Sequence, residues 1–99
     1  MSRREEYINK MTAKLKEWDK EIEKLELKTA NAQDSIKHKY NEQVSELRER
    51  MADTRKKLDD ISSAGSDSWK VLKKGFKASF KVLRQSIKKA AKNFKKGIS

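Results

Sequence analysis

Eleven Lys/Arg side chains lie between Trp69 and Ser99 with no Asp or Glu among them, and the chemistry they offer is anion binding. The first 68 residues carry fifteen basic and fifteen acidic side chains, so the net charge of +11 resides in the tail. Other chemistry is thinly represented. His38 is the only histidine and there is no cysteine, which removes thiolate metal sites, disulfides and Cys nucleophiles. A lone His on a charged stretch is read as a solvated helix residue. The acid pairs Glu5/Glu6, Glu21/Glu23 and Asp59/Asp60 sit among lysines as helix-surface charges do, not as a catalytic carboxylate pair. No Gly-rich phosphate loop and no Ser/His/Asp set is present, so the chain reads as non-enzymatic and without a cofactor.

The tail has an ordered apolar pattern. WKVLKKGF at 69–76, FKVLRQSI at 80–87 and AKNFKKGI at 91–98 align at an offset of 11 residues. Eleven residues in three turns keep a stripe nearly straight on an α-helix. At about 100° per residue, Trp69, Leu72, Phe76, Phe80, Leu83, Ile87, Ala91, Phe94 and Ile98 fall within roughly 100° of arc. Val71 and Val82 widen one flank. Seven of the stripe's large members, Trp69, Leu72, Phe76, Phe80, Leu83, Ile87 and Phe94, are the expected anchors for a membrane or protein partner. Lys73, Lys77, Lys81, Arg84, Lys88 and Lys95 form the expected anion-facing set. Such a helix can lie in a membrane interface, where each cation near an anionic leaflet contributes about 1 kcal/mol. The same stripe can instead dock on the rest of the chain while its Lys face meets an anionic surface. Packing alone does not account for the absence of acids, because a helix with only packing duties usually mixes charge signs. Nucleic acid is the alternative polyanion, but the aromatics lie away from the lysines, which leaves phosphate contact without base stacking.

The element that must present this tail is a long charge-balanced helix over 3–62. Ser2 and Glu5 have capping-box spacing. Ile8, Met11, Leu15, Trp18, Ile22 and Leu25 then recur in the 3-4 alternation of a coiled coil. Thr29, Ala32 and Ile36 keep the phase with weaker side chains, and steps of four through Tyr40 to Val44 form a stutter. Leu47, Met51, Thr54, Leu58 and Ile61 complete the seam. The TANAQDS stretch at 29–35 has low helix propensity, but it contains neither Gly nor Pro. It is read as a weak point in a continuous helix, which would be a rod of roughly 85–90 Å. Such a rod needs another helix, from its own chain or from a partner, to cover its stripe. Residues 63–68, with Gly65, form a junction. Gly65 can end a helix in the left-handed conformation, and Ser66 or Asp67 can cap the next one. An unbroken helix through Gly65 is the alternative, and Asp59/Asp60 would be unfavourable at a helix C-terminus.

With 34% apolar and 41% charged residues and no Pro, the chain suits long helices packed along a seam in a single all-α domain. The expected organisation is a coiled-coil helix over 1–62, a junction over 63–68 and a basic amphipathic helix over 69–99, arranged as a hairpin or a bent rod and oligomeric or bound to a larger assembly. Neither a signal peptide nor an apolar stretch of membrane-spanning length is visible, so the expected location is cytoplasmic, extending to the inner face of a membrane.

The segments KLKEWDKEI at 14–22, YNEQVSELR at 40–48 and SAGSDSWK at 63–70 resemble a diffuse group of small bacterial coiled-coil proteins, some of them assigned to stress response. The similarity covers most of the chain. It implies a Lys/Glu-rich helix, a Ser-Gly-Asp-x-Trp junction and a second amphipathic helix, and no particular activity. The tail departs from the group, whose members mix Glu and Asp with Lys there, so no shared partner carries over. In period the tail is also similar to the 11-residue repeats of exchangeable, apolipoprotein-like lipid-binding helices.

Overall fold

A computed structural model describes residues 2–98, with side-chain surroundings given through Phe94. The chain is all-helical among the described residues: α1 (Arg3–Ala30), α2 (Asp34–Ser63) and α3 (Ser68–Ile98). Ser2 is extended and its Oγ accepts from the Glu5 N–H at 3.2 Å, as the capping pattern predicts. Glu5 and Glu6 in the first turn complement the positive helix end.

The expected continuous helix over 3–62 is instead two helices, broken at 31–33. Short polar side chains compete for the last carbonyls of α1. Thr29 Oγ1 donates to Leu25 O at 2.9 Å, and Asn31 Nδ2 donates to Leu27 O at 3.1 Å. The Ala32 N–H then bonds Thr29 O at 3.1 Å, a tightened final turn. Gln33 is extended (φ −66°, ψ 148°), and its carbonyl accepts the Ile36 and Lys37 N–H groups to start α2. No described residue has positive φ, so this reversal needs no glycine. The driving force is the apolar stripe, which a lone rod would leave in water.

Side-chain contacts fix the helix directions. Arg4 of α1 reaches the end of α2, whereas Tyr40 near the start of α2 stacks on Phe94 near the end of α3 at 3.9 Å. Tyr7 meets Phe76 and Trp18 meets Phe80, so α1 and α3 run parallel, with α2 antiparallel to both. The bundle measures 51 × 19 × 16 Å, well short of the expected rod. All three stripes converge on one core. Met11, Leu15, Ile22 and Leu25 come from α1; Tyr40, Val44, Leu47, Met51, Leu58 and Ile61 come from α2; Phe76, Leu83, Ile87, Ala90 and Phe94 come from α3. Ile8, Trp18, Ile36, Trp69 and Phe80 pack at its margin. The weak seam residues Thr29 and Thr54 are buried without cost to hydrogen bonding, since each hydroxyl donates to the carbonyl four residues back.

Between Ser63 and Ser68 the chain leaves the helix, but not by the expected device. Ala64 is extended, and Gly65 does not adopt a left-handed conformation. The negative end of α2, which Asp59 and Asp60 leave without a basic residue of its own, is instead met from α1. Arg4 Nη1 donates to Ile61 O at 3.5 Å and Ala64 O at 2.5 Å. Gly75, inside α3, has open space where a Cβ would be. Gly75→Ala should therefore stabilise the bundle by about 0.5–1 kcal/mol, read as a raised urea midpoint; a lowered midpoint would show a contact at that position that the packing does not contain.

Candidate functional site

Charge is distributed unequally over the bundle. Ion pairs stitch α1 to α2: Arg48 bridges Asp19 and Glu26, and Arg55 reaches Asp19 at 4.0 Å. The Glu26 hydrogen bond foremost, then Asp19, pushes the Arg48 guanidinium pKa up against partial desolvation. Helix α3 is attached differently. Its apolar stripe enters the core, and its side-chain hydrogen bonds to α2 centre on Ser79, which accepts from Lys57 Nζ at 2.6 Å and donates to Asp53 at 3.5 Å. Among the described residues no α3 cation is ion-paired.

The stripe residues expected as partner anchors divide by depth. Phe76, Leu83 and Phe94 are fully buried and Ile87 nearly so, against α1 and α2. Trp69 and Phe80 are half-buried at the margin, and Leu72 is 38% exposed. The bundle thus brings together the stripe and the coiled-coil seam, and any lipid contact by the buried anchors would require α3 to leave. The anion-facing set lies on the other side. Lys77, Lys81, Arg84 and Lys88 are exposed, whereas Lys73 is half-buried; the side chain of Lys95 lies outside the described residues. Lys70, Lys74 and Lys92 are exposed too. At about 100° per residue, Lys70, Lys77, Lys81, Arg84, Lys88 and Lys92 form a ridge within roughly 80° of arc, about 33 Å long at 1.5 Å per residue.

At its N-terminal end the ridge borders a groove between α1 and α3. The groove, of about 580 Å³, is lined by Arg3, Glu6, Tyr7 and Lys10 of α1 and by Trp69, Lys70, Lys73, Lys74 and Lys77 of α3. Lys73 Nζ lies 4.5 Å from the Tyr7 ring centroid and 5.6 Å from that of Trp69, both within cation–π range. Burial raises the Tyr7 phenol pKa above its ordinary value. Arg3, Tyr7 and Lys10 escaped the sequence reading because a two-helix seam uses only its a and d positions. A helix facing two neighbours also buries flanking positions, and Tyr7, one residue before Ile8, occupies such a flank.

His38 is exposed and sits 3.2 Å from Glu42, and no group of His, Cys, Asp and Glu among the described residues could hold a metal ion. No helix among them is long and apolar enough to cross a membrane. No family model, curated protein or solved structure matches the chain, so the ridge and groove are interpreted from their own chemistry.

Proposed function

We propose that the chain is a non-enzymatic adaptor that attaches peripherally to an anionic surface through the α3 cation ridge, with a lipid leaflet as the surface that fits best. The observation that carries this reading is the row of exposed cations on α3 without an acid among them, beside α1 and α2, in which acids and bases balance and several form ion pairs. A straight ridge along one side of the bundle matches a flat, featureless array of charge. Phe76 and Phe94 are buried in the core and so are not free to stack on bases. Attachment under this reading is electrostatic and leaves the bundle closed, so the helix need not insert as a free amphipathic helix would. Likewise, the seam expected to mediate self-association is covered within the chain, and one bundle suffices for binding.

Co-sedimentation with phosphatidylserine-containing and with purely phosphatidylcholine vesicles tests the proposal. Binding to the first that falls steeply with salt, with little binding to the second, is the expected result. Equal binding to both, or binding to neither, would overturn it. Preferential binding to duplex DNA over the anionic vesicles at equal salt would replace it with the nucleic-acid alternative.

A further inference from the structure

The groove between the first turns of α1 and α3 carries a larger excess of one charge than the depressions between α2 and α3. Six cations line it (Arg3, Lys10, Lys70, Lys73, Lys74 and Lys77), against one carboxylate, Glu6. In the depression of about 310 Å³ between α2 and α3, Glu46 stands with Arg50 and Lys89, and Glu46 is already ion-paired to Arg50 at 2.7 Å. The smaller one beside it has one carboxylate, Asp53, and one cation, Arg50, on its walls. At the N-terminal pole six like charges line one concavity with a single carboxylate among them.

Three further features point to a ligand of defined size. The volume falls in the range of small-molecule sites. Lys73 is held in the wall by Tyr7 and Trp69, so its ammonium is positioned before anything arrives and less order is lost on binding. The parallel course of α1 and α3 places two positive helix ends at this pole, adding to the field of the side chains.

We infer that this groove binds a compact, multiply phosphorylated ligand, with two or more phosphates close together on a small headgroup or in a free polyphosphate chain. A single carboxylate or monoanionic phosphate could not balance six cations, whereas clustered phosphates bring several charges into one small volume. Lysine ammonium groups act as point charges with rotatable donors, so they meet phosphate oxygens without a fixed bidentate geometry. The inference rests on the reading of α3 as an anion-binding helix but adds to it: the ridge responds to charge spread over a surface, the groove to charge gathered at one place.

The test uses the full chain with sodium tripolyphosphate in calorimetric titrations at constant salt. Saturable one-to-one binding is expected. The triple variant Lys70→Gln/Lys74→Gln/Lys77→Gln should weaken it at least tenfold. Arg84→Gln/Lys88→Gln/Lys92→Gln, which removes the same charge farther along α3, should change it less than twofold. Tripolyphosphate should also raise the melting temperature of the native chain, and raise it less for the first variant. Equal loss in the two variants, or no saturable binding by the native chain, would overturn the inference. Phosphatidylinositol bisphosphate and phosphatidylserine vesicles at matched surface charge separate the ligand sources. A preference for the former assigns a lipid headgroup and no preference assigns a free polyphosphate, either being compatible only with a groove that already binds tripolyphosphate. Ridge attachment to phosphatidylserine vesicles is measured separately, so failure of the groove and failure of the proposed function give different results.

Discussion

Phe76→Ala is expected to lower the stability of the bundle by about 3–5 kcal/mol, a large part of what a domain of this size usually has. Phe76 is fully buried. Its ring meets Tyr7 edge-on, with centroids 5.9 Å apart and planes at 82°, and lies 5.6 Å from Phe80. Truncation removes apolar contact from two helices at once and leaves a cavity between parallel segments that cannot easily close. The substitution also separates two pictures of the tail. Were α3 a detached cationic helix, α1 and α2 would unfold at the same urea concentration with or without Phe76. In the bundle, one cooperative transition followed by circular dichroism should move to markedly lower urea. A change below about 1 kcal/mol would contradict the packing of α3. Leu72 belongs to the same stripe but is 38% exposed, so Leu72→Ala should cost well under half as much.

The stripe of α3 was legible because its period is strict and its side chains are large; Phe76, Leu83 and Phe94 stand where eleven-residue spacing puts them. The seam of α1 and α2 was legible for the same reason, from Met11 to Ile61. What periodicity does not reveal is a reversal of direction. Leu25, Thr29, Ala32 and Ile36 keep phase across 31–33 because both helices point the same stripe at one core, so a turn and a continuous helix give the same pattern. The usual punctuation was missing as well, since a turn without positive φ requires neither Gly nor Pro. The signals that did exist were weaker: Lys28 in a last turn, Asn31 able to bond back to Leu27, and Asp34 in a first turn. At the junction the opposite error arose, because Gly65 suggested a left-handed cap that the chain does not use. Arg4 illustrates a limit of another kind. Its role at the end of α2 depends on a contact across 57 and 60 residues of sequence, which no local pattern encodes.

Neutralising the ridge should move binding and stability in opposite directions. In the variant Lys81→Gln/Arg84→Gln/Lys88→Gln/Lys92→Gln, four exposed cations outside the N-terminal groove are lost. At about 1 kcal/mol each near an anionic leaflet they represent roughly 4 kcal/mol, and screening over a Debye length of about 8 Å at physiological salt leaves about half of that. Affinity for phosphatidylserine vesicles should then fall on the order of 30-fold. The same side chains repel one another along the helix. Lys77–Lys81, Arg84–Lys88 and Lys88–Lys92 are like charges four residues apart, and Lys81–Arg84 are three apart, each pair destabilising the helix by about 0.2–0.5 kcal/mol. The variant should accordingly unfold at higher urea than the native chain while binding vesicles less. Lys16→Gln/Lys20→Gln/Lys39→Gln/Lys56→Gln, a loss of equal charge from exposed positions on α1 and α2, should leave vesicle affinity within about threefold. Similar losses from the two variants would mean that only net charge matters and that α3 presents no binding face. If instead the ridge variant bound less and was also less stable, the lysines would be supporting the fold, and their lack of acidic partners would no longer argue for a function outside the bundle.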